Sequence, residues 1–230
     1  MATRTATLRF APRAIASPSR LLRTPNPRRS FFNLPSAEPQ TLAAHRTLPY
    51  SSSQLYELIA DIDLYTTFLP YCTTSRVTSW STPDPESGRR YPTAGILTAG
   101  WSGLSETYSS RVFCVPKLGI VEAISGNATS SIPASELQKY GLRDAGPGQS
   151  GSGAQEGTFS SLVTRWTVRP LEARGREEEW SRIDLSIRFQ FVNPLYAAVS
   201  SAVADKVAPI MVEAFEKEAR RVLGRPGGRK

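Results

Sequence analysis

Between residues 180 and 192 apolar and polar positions alternate, with Ile183, Leu185, Ile187, Phe189 and Phe191 set between Arg182, Asp184, Ser186, Arg188 and Gln190. A period of two puts the five apolar side chains on one face, which predicts a strand of an antiparallel sheet buried on one side and wet on the other. Weaker runs of the same kind predict strands at about 74–80, 94–101, 105–115, 119–124 and 159–169, with a short one at 45–48. Two stretches follow the helical period instead. Leu55, Leu58, Ile59 and Ile62 form a stripe behind Ser51 and Gln54, the spacing of a capping box. Residues 61–72 continue as a broken helix that Pro70 closes. At the carboxyl end Asn193 suits an N-cap and Pro194 a first helical position. From there Leu195, Val199, Val203, Val207, Met211 and Phe215 keep an almost unbroken apolar face to Gly224, along a helix of roughly 45 Å that Pro209 should kink.

One strand, one or two short helices, six antiparallel strands and a long final helix make an α+β helix-grip arrangement. A curved antiparallel sheet of about six to seven strands wraps around the carboxyl-terminal helix. A sheet curled around a single helix does not always fill its own interior, and the space left over is apolar. The domain spans 42–224. Two stretches interrupt it: a loop at 82–92 carrying Pro83, Pro85 and Pro92, and a segment at about 127–157 with six glycines from Gly141 to Gly157 and few apolar groups. The second reads as a flexible insertion between strands.

The formal net charge of +8 would suggest nucleic acid if it were spread over the domain. It is not. Seven of the 28 basic residues are arginines within residues 1–37, where there is no acid, so the remainder carries 21 basic against 20 acidic residues. A nucleic-acid role is therefore not expected. Residues 1–37, rich in Arg, Ser, Thr and Ala and lacking an apolar secretory core, have the composition of a mitochondrial transit peptide and linker. The chain has no uninterrupted apolar run of 18 residues, so membrane contact is expected to be peripheral.

Candidate chemistry is sparse. His45 is the single histidine, and Cys72 and Cys114 are the two cysteines. That leaves no basis for a histidine-rich or CxxC metal site, and no metal or catalytic cofactor is expected. Both cysteines read as small buried hydrophobes in a reducing compartment.

The segment Tyr65-Thr66-Thr67-Phe68-Leu69-Pro70-Tyr71-Cys72 resembles the Y-x-x-F-[LV]-P-[WY]-C motif of the mitochondrial coenzyme Q-binding proteins, members of the START-like, polyketide cyclase/lipid-transport superfamily. Phe189-Gln190-Phe191-Val192-Asn193-Pro194-Leu195-Tyr196, with Asp205-Lys206-Val207 and Ala214-Phe215-Glu216 downstream, is similar to that family's last strand and helix. The likeness covers about 42–126 and 158–223. The 127–157 insertion, Tyr71 where many relatives carry tryptophan, and the 82–92 loop depart from it. The resemblance implies a START-like fold and non-catalytic binding of ubiquinone in a hydrophobic tunnel, supporting respiration and quinone synthesis. It also implies a peripheral location on the matrix side of the mitochondrial inner membrane, with respiratory or quinone-biosynthesis complexes as partners. Candidate lining residues are Tyr65, Phe68, Leu69 and Pro70 at the entrance, Trp101, Tyr108 and Trp166 on strands, and Phe189, Phe191, Val203, Val207 and Met211 from the closing elements. Tyr65 and Tyr108 are candidate donors to quinone oxygens. Glu106 reads as a solvated strand charge or as the partner of Arg111 or Arg165. Two other classes compete: a protein-interaction module that uses the carboxyl helix, and a cyclase or dehydratase on the same fold.

Overall fold

The structure, a computed structural model, describes residues 38–84, 87–101, 104–144, 146, 158–172 and 179–224, with the backbone alone at 101, 104 and 194–205. The expected transit peptide at 1–37 and nearly all of 145–157 lie outside the described residues.

Seven antiparallel strands form one sheet: β1 (Gln40–Leu48), β2 (Cys72–Trp80), β3 (Pro92–Trp101), β4 (Leu104–Val115), β5 (Ile120–Gly126), β6 (Phe159–Leu171) and β7 (Trp180–Phe191). Their spatial order is β1-β7-β6-β5-β4-β3-β2. Meander connections pair each strand from β2 to β6 with its successor. The remaining strand, β1, joins the far side of β7, and the helices that follow it carry the chain back over the concave face to the β2 edge.

The first helix, α1 (Ser52–Ala60), begins at the capping box. The amide of Gln54 donates to the Ser51 hydroxyl at 3.3 Å, and the amide of Ser51 donates to the Gln54 side-chain oxygen at 3.3 Å. Leu55, Tyr56, Ile59 and Ala60 face the core, while Leu58 is half-buried, so the inward stripe includes a tyrosine that the spacing of aliphatic residues did not indicate. A 3-10 turn (Ile62–Leu64) and the one-turn helix α2 (Tyr65–Phe68) make up the broken helix. This segment is stitched to the free edge of the sheet. The hydroxyl of Ser75 donates to the Ile62 carbonyl at 2.6 Å, and the outward amide of Val77 donates to Asp63 Oδ1 at 2.6 Å. An edge amide that would otherwise invite a foreign strand is thereby occupied.

The final helix, α4 (Pro194–Leu223), continues through Pro209, which lies on its exposed side. Ala208, Val212, Phe215 and Ala219 are fully buried, and Val207 and Met211 pack against the same core. Val222, one residue before the helix ends, is exposed. The hydroxyl of Tyr50 donates to the Gly224 carbonyl at 2.7 Å, tying the end of α4 to the start of α1.

The sheet is not one-sided throughout. The first part of the expected flexible insertion is folded: residues 127–144 contain helix α3 (Ala134–Lys139), and Ile132 and Leu137 bury themselves on the outer face against Phe113, Val115, Ile124 and Val163. Glu122, on the same face and 1% exposed, accepts from Arg165 and from the Ser130 hydroxyl. Arg111 pairs with Asp144, whose other oxygen accepts from the Ser130 amide at 2.6 Å. A second, smaller core thus covers the middle strands.

Candidate functional site

Strand pairing arranges the concave face in rows. The deepest row runs Ala44, Leu185, Trp166, Val121, Cys114, and from Leu185 to Cys114 every member is buried. The next contains Leu42, Ile187, Thr164, Ala123 and Val112, of which Ile187 and Val112 are buried and Leu42, Thr164 and Ala123 are half-buried. Above them lie Phe189, Leu162 and Ser125, and the row continues to Ser110, whose hydroxyl is 2.7 Å from that of Ser125, and to Gly95. At the upper end Phe191 pairs with Phe159, and Tyr108 with Leu97. Small residues such as Gly95, Ser110, Ala123 and Ser125 cannot fill the space under a helix. On this face Thr164 and Ala123 are half-buried above the buried Trp166, and the space between the sheet and α4 is the candidate apolar cleft.

An aromatic cluster forms the upper wall. Phe159 stacks on Phe191 with centroids 4.7 Å apart, meets Phe189 edge-on at 5.4 Å and lies 5.8 Å from Tyr108. Phe159 was not among the sequence candidates. Counting back by twos from Trp166 puts Ser160 on the inner face, but a register shift between Phe159 and Ser161 swings the phenylalanine inward. The signal that could have found it was an aromatic residue at the start of a strand paired with Phe191.

The other candidates fall into three groups. Phe189, Phe191 and Trp166 are buried on the concave face, where Tyr108, Val207 and Met211 are half-buried. Tyr65 and Leu69 are buried core, and Phe68 is half-buried between Tyr65 and Phe215, at 5.6 and 6.3 Å. Pro70 follows α2 in the turn that leads to Tyr71, a non-glycine residue at φ +66°. The side chains of Trp101 and Val203 lie outside those described.

Neither tyrosine hydroxyl is held in reserve for a ligand. Tyr65 donates to the Ile59 carbonyl at 2.6 Å, and burial pushes its phenol up. Burial, then the adjacent Glu106 carboxylate, pushes the Tyr108 phenol up. Glu106 is paired neither with Arg111 nor with Arg165, which sit on the outer face with acids of their own; it accepts from the Thr158 amide at 2.6 Å. Burial pushes the Cys114 thiol up to about 12 and the Tyr56 phenol beyond its ordinary value. These hydroxyls and the Cys114 thiol are thus neutral at physiological pH, which suits an uncharged occupant. Two surface cavities of about 110 and 370 Å³ lie elsewhere, between the 81–93 connection and the turn after α3, where both touch Thr82, Thr93, Tyr140 and Leu142. Among the described residues no group of His, Cys, Asp and Glu could hold a metal ion, and no helix is long and apolar enough to cross a membrane.

The sequence pattern of the family described as polyketide cyclase / dehydrase and lipid transport matches residues 48–129 and 149–216. The mitochondrial coenzyme Q-binding protein coq10 of Schizosaccharomyces pombe is 31% identical over 177 residues, covering 77% of this chain and 85% of that protein. The chain belongs to the coenzyme Q-binding proteins of this family. The chain is also similar to the ribosome association toxin RatA of Escherichia coli, 27% identical over 76% of this chain and 84% of that protein. Among solved structures, the Zhui aromatase/cyclase from Streptomyces sp. R1128 superposes with a TM-score of 0.57 at 15% identity, covering 83% of this chain and 99% of that one. A START superfamily protein from Mycobacterium smegmatis gives 0.54 at 12% identity, with 79% and 98% covered. These neighbours establish the START-like, helix-grip fold for the family member described here.

Proposed function

We propose that this protein binds coenzyme Q in the cleft between the sheet and α4, and that it holds and delivers the quinone without transforming it. The observation that carries the reading is the apolar concave face, aromatic at its upper end in Phe159, Phe189, Phe191 and Tyr108, with the Tyr65 hydroxyl satisfied within the protein. A polyprenylated quinone has matching chemistry, a long hydrocarbon tail and a small uncharged head. Each buried CH₂ of the tail contributes roughly 0.8 kcal/mol. The names of the coenzyme Q-binding relatives support the same ligand. Their mitochondrial designation, with the arginine-rich, acid-free residues 1–37, supports import, and we place the protein peripherally on the matrix side of the inner membrane.

The test is mass spectrometry of organic extracts of the protein lacking residues 1–37, followed by titration of the delipidated protein with ubiquinone. Co-purified or rebound quinone near one per chain supports the reading. Empty extracts and no rebinding overturn it, and leave in front the interaction-module reading, which draws on the relative named for ribosome association. A fusion lacking residues 1–37 that still reaches mitochondria would overturn the placement alone.

A further inference from the structure

We infer that the indole of Trp166 is the head-group anchor of the cleft: its Nε1–H donates to a ring oxygen of the bound quinone, which lies head down with its tail leaving past the aromatic upper wall. The inference rests on the coenzyme Q reading.

Trp166 is 3% exposed, and its Nε1 has no hydrogen-bond partner in the protein. A buried indole N–H ordinarily finds an acceptor, because leaving it unpaired costs free energy comparable to a lost hydrogen bond. Most of the neighbouring polar groups on the concave side are already engaged, and the Thr164 hydroxyl lies one row above on the accessible part of the face. Tyr65 donates to Ile59, Ser110 and Ser125 bond each other, and Tyr108 lies against Glu106. Tyr56 lies against the Cys114 thiol. The other unpartnered buried side-chain atoms among the described residues are remote from the floor of the cleft. Arg111 Nε and Asp184 Oδ2 belong to the outer face, and Ser181 pairs in register with Leu48 and Pro170 at the end of the sheet.

Position gives the second argument. Trp166 lies one row below Ala123 and Thr164, which are half-buried on the central strands of the concave face, so an oxygen reaching past them meets the indole ring. Indole is a donor only. It therefore suits a carbonyl oxygen, whereas the tail requires no polar partner and is matched by Phe159, Phe189 and Phe191 above. A head-up arrangement would put the ring oxygens among those phenylalanines and leave both them and the indole unpaired.

The experiment uses the ¹⁵N-labelled protein lacking residues 1–37, ubiquinone with a short isoprenoid tail, and an isoprenoid hydrocarbon of similar carbon number without ring oxygens. The Trp166 indole N–H resonance should shift downfield and exchange more slowly with ubiquinone but not with the hydrocarbon. In Trp166→Phe the ratio of ubiquinone to hydrocarbon affinity should fall about tenfold, the loss of one hydrogen bond to a buried group. Ubiquinone binding that leaves the resonance unmoved, or an unchanged ratio in Trp166→Phe, overturns the anchor and leaves the coenzyme Q reading standing. Failure of ubiquinone to bind the wild type overturns the reading and the anchor together. Should Trp166→Phe not fold, the wild-type resonance decides alone, assigned by elimination with Trp80→Phe, Trp101→Phe and Trp180→Phe.

Discussion

Phe68 and Phe215 meet edge to face, with ring centroids 6.3 Å apart and planes at 62°. Their contact joins the one-turn helix α2 to α4, and Phe215 in turn lies 5.4 Å from Trp166 on the sheet. A line of rings, Tyr65, Phe68, Phe215 and Trp166, thus links the segment bound to the β2 edge with the floor of the cleft.

Phe215 is 0% exposed, and truncation to alanine removes the centre of that line. Phe215→Ala is expected to cost about 3–5 kcal/mol in urea unfolding. Phe68 is only half-buried, so Phe68→Ala should cost less and leave circular dichroism native while bound ubiquinone per folded protein falls. Unchanged quinone occupancy in a folded Phe68→Ala would remove α2 from the site.

The outer face offers a separate test. Arg165→Met leaves the Glu122 carboxylate enclosed without its cation and is expected to destabilise by about 3–5 kcal/mol, whereas adding Glu122→Leu should recover most of the loss. Denaturation midpoints of the two single variants and the double variant measure this. Additive losses would mean that the pair is not coupled.

The two cysteines should differ as nucleophiles. Burial raises both thiols, but Cys114 is enclosed and pushed up to about 12, while Cys72 is half-buried. Because the thiolate is the reactive form, iodoacetamide at pH 8 should modify Cys72 first and reach Cys114 only as the domain opens. Peptide mapping over time checks the order, and equal rates would show that the core is not closed around Cys114.

Glu218 gives the acid limb of stability. Hydrogen bonds from Arg221, at 2.7 and 2.8 Å, hold its carboxyl below the ordinary 4.5, against an opposing effect of burial. A lowered folded-state pKa adds stability that is fully present above the unfolded value and is lost as pH falls through the folded one. Glu218→Gln should therefore lower Tm at pH 7, and the two proteins should converge below pH 4. A constant offset from pH 7 to pH 3 would assign the effect to packing.

The sequence carried the β7 strand and the Ser51 cap plainly, because both depend on local spacing. Strict alternation around Ile187 and a hydroxyl three residues before a glutamine need no tertiary information. Phe159 was illegible for the opposite reason, since one extra residue in β6 inverts the parity on which such counting relies. The outer layer escaped as well. Ile132 and Leu137, with Tyr140 and Leu142 behind them, are too few and too unevenly spaced to show a period, and they matter only because Phe113, Ile124 and Val163 wait for them across the sheet. Glu122 and Arg165 face each other through the β5–β6 register, a relationship between positions 43 residues apart that no local pattern encodes. Within the site, the aromatic character of the upper wall was visible in Phe189 and Phe191. The commitment of Tyr65 to a backbone carbonyl was not.

The covering of β4, β5 and β6 by Ile132, Leu137 and their neighbours has a mechanical meaning. A sheet gripped on both faces at its centre and on one face at its margins is stiff in the middle and compliant at the sides. Val121 and Trp166 therefore sit on an anvil, while the β2–β3 margin with its attached α2 segment, and the β1 margin beneath α4, are backed on one face alone. Widening the cleft to pass a ring would strain those margins like the jaws of a spring clip, with β5 as the fixed hinge and the floor left undisturbed.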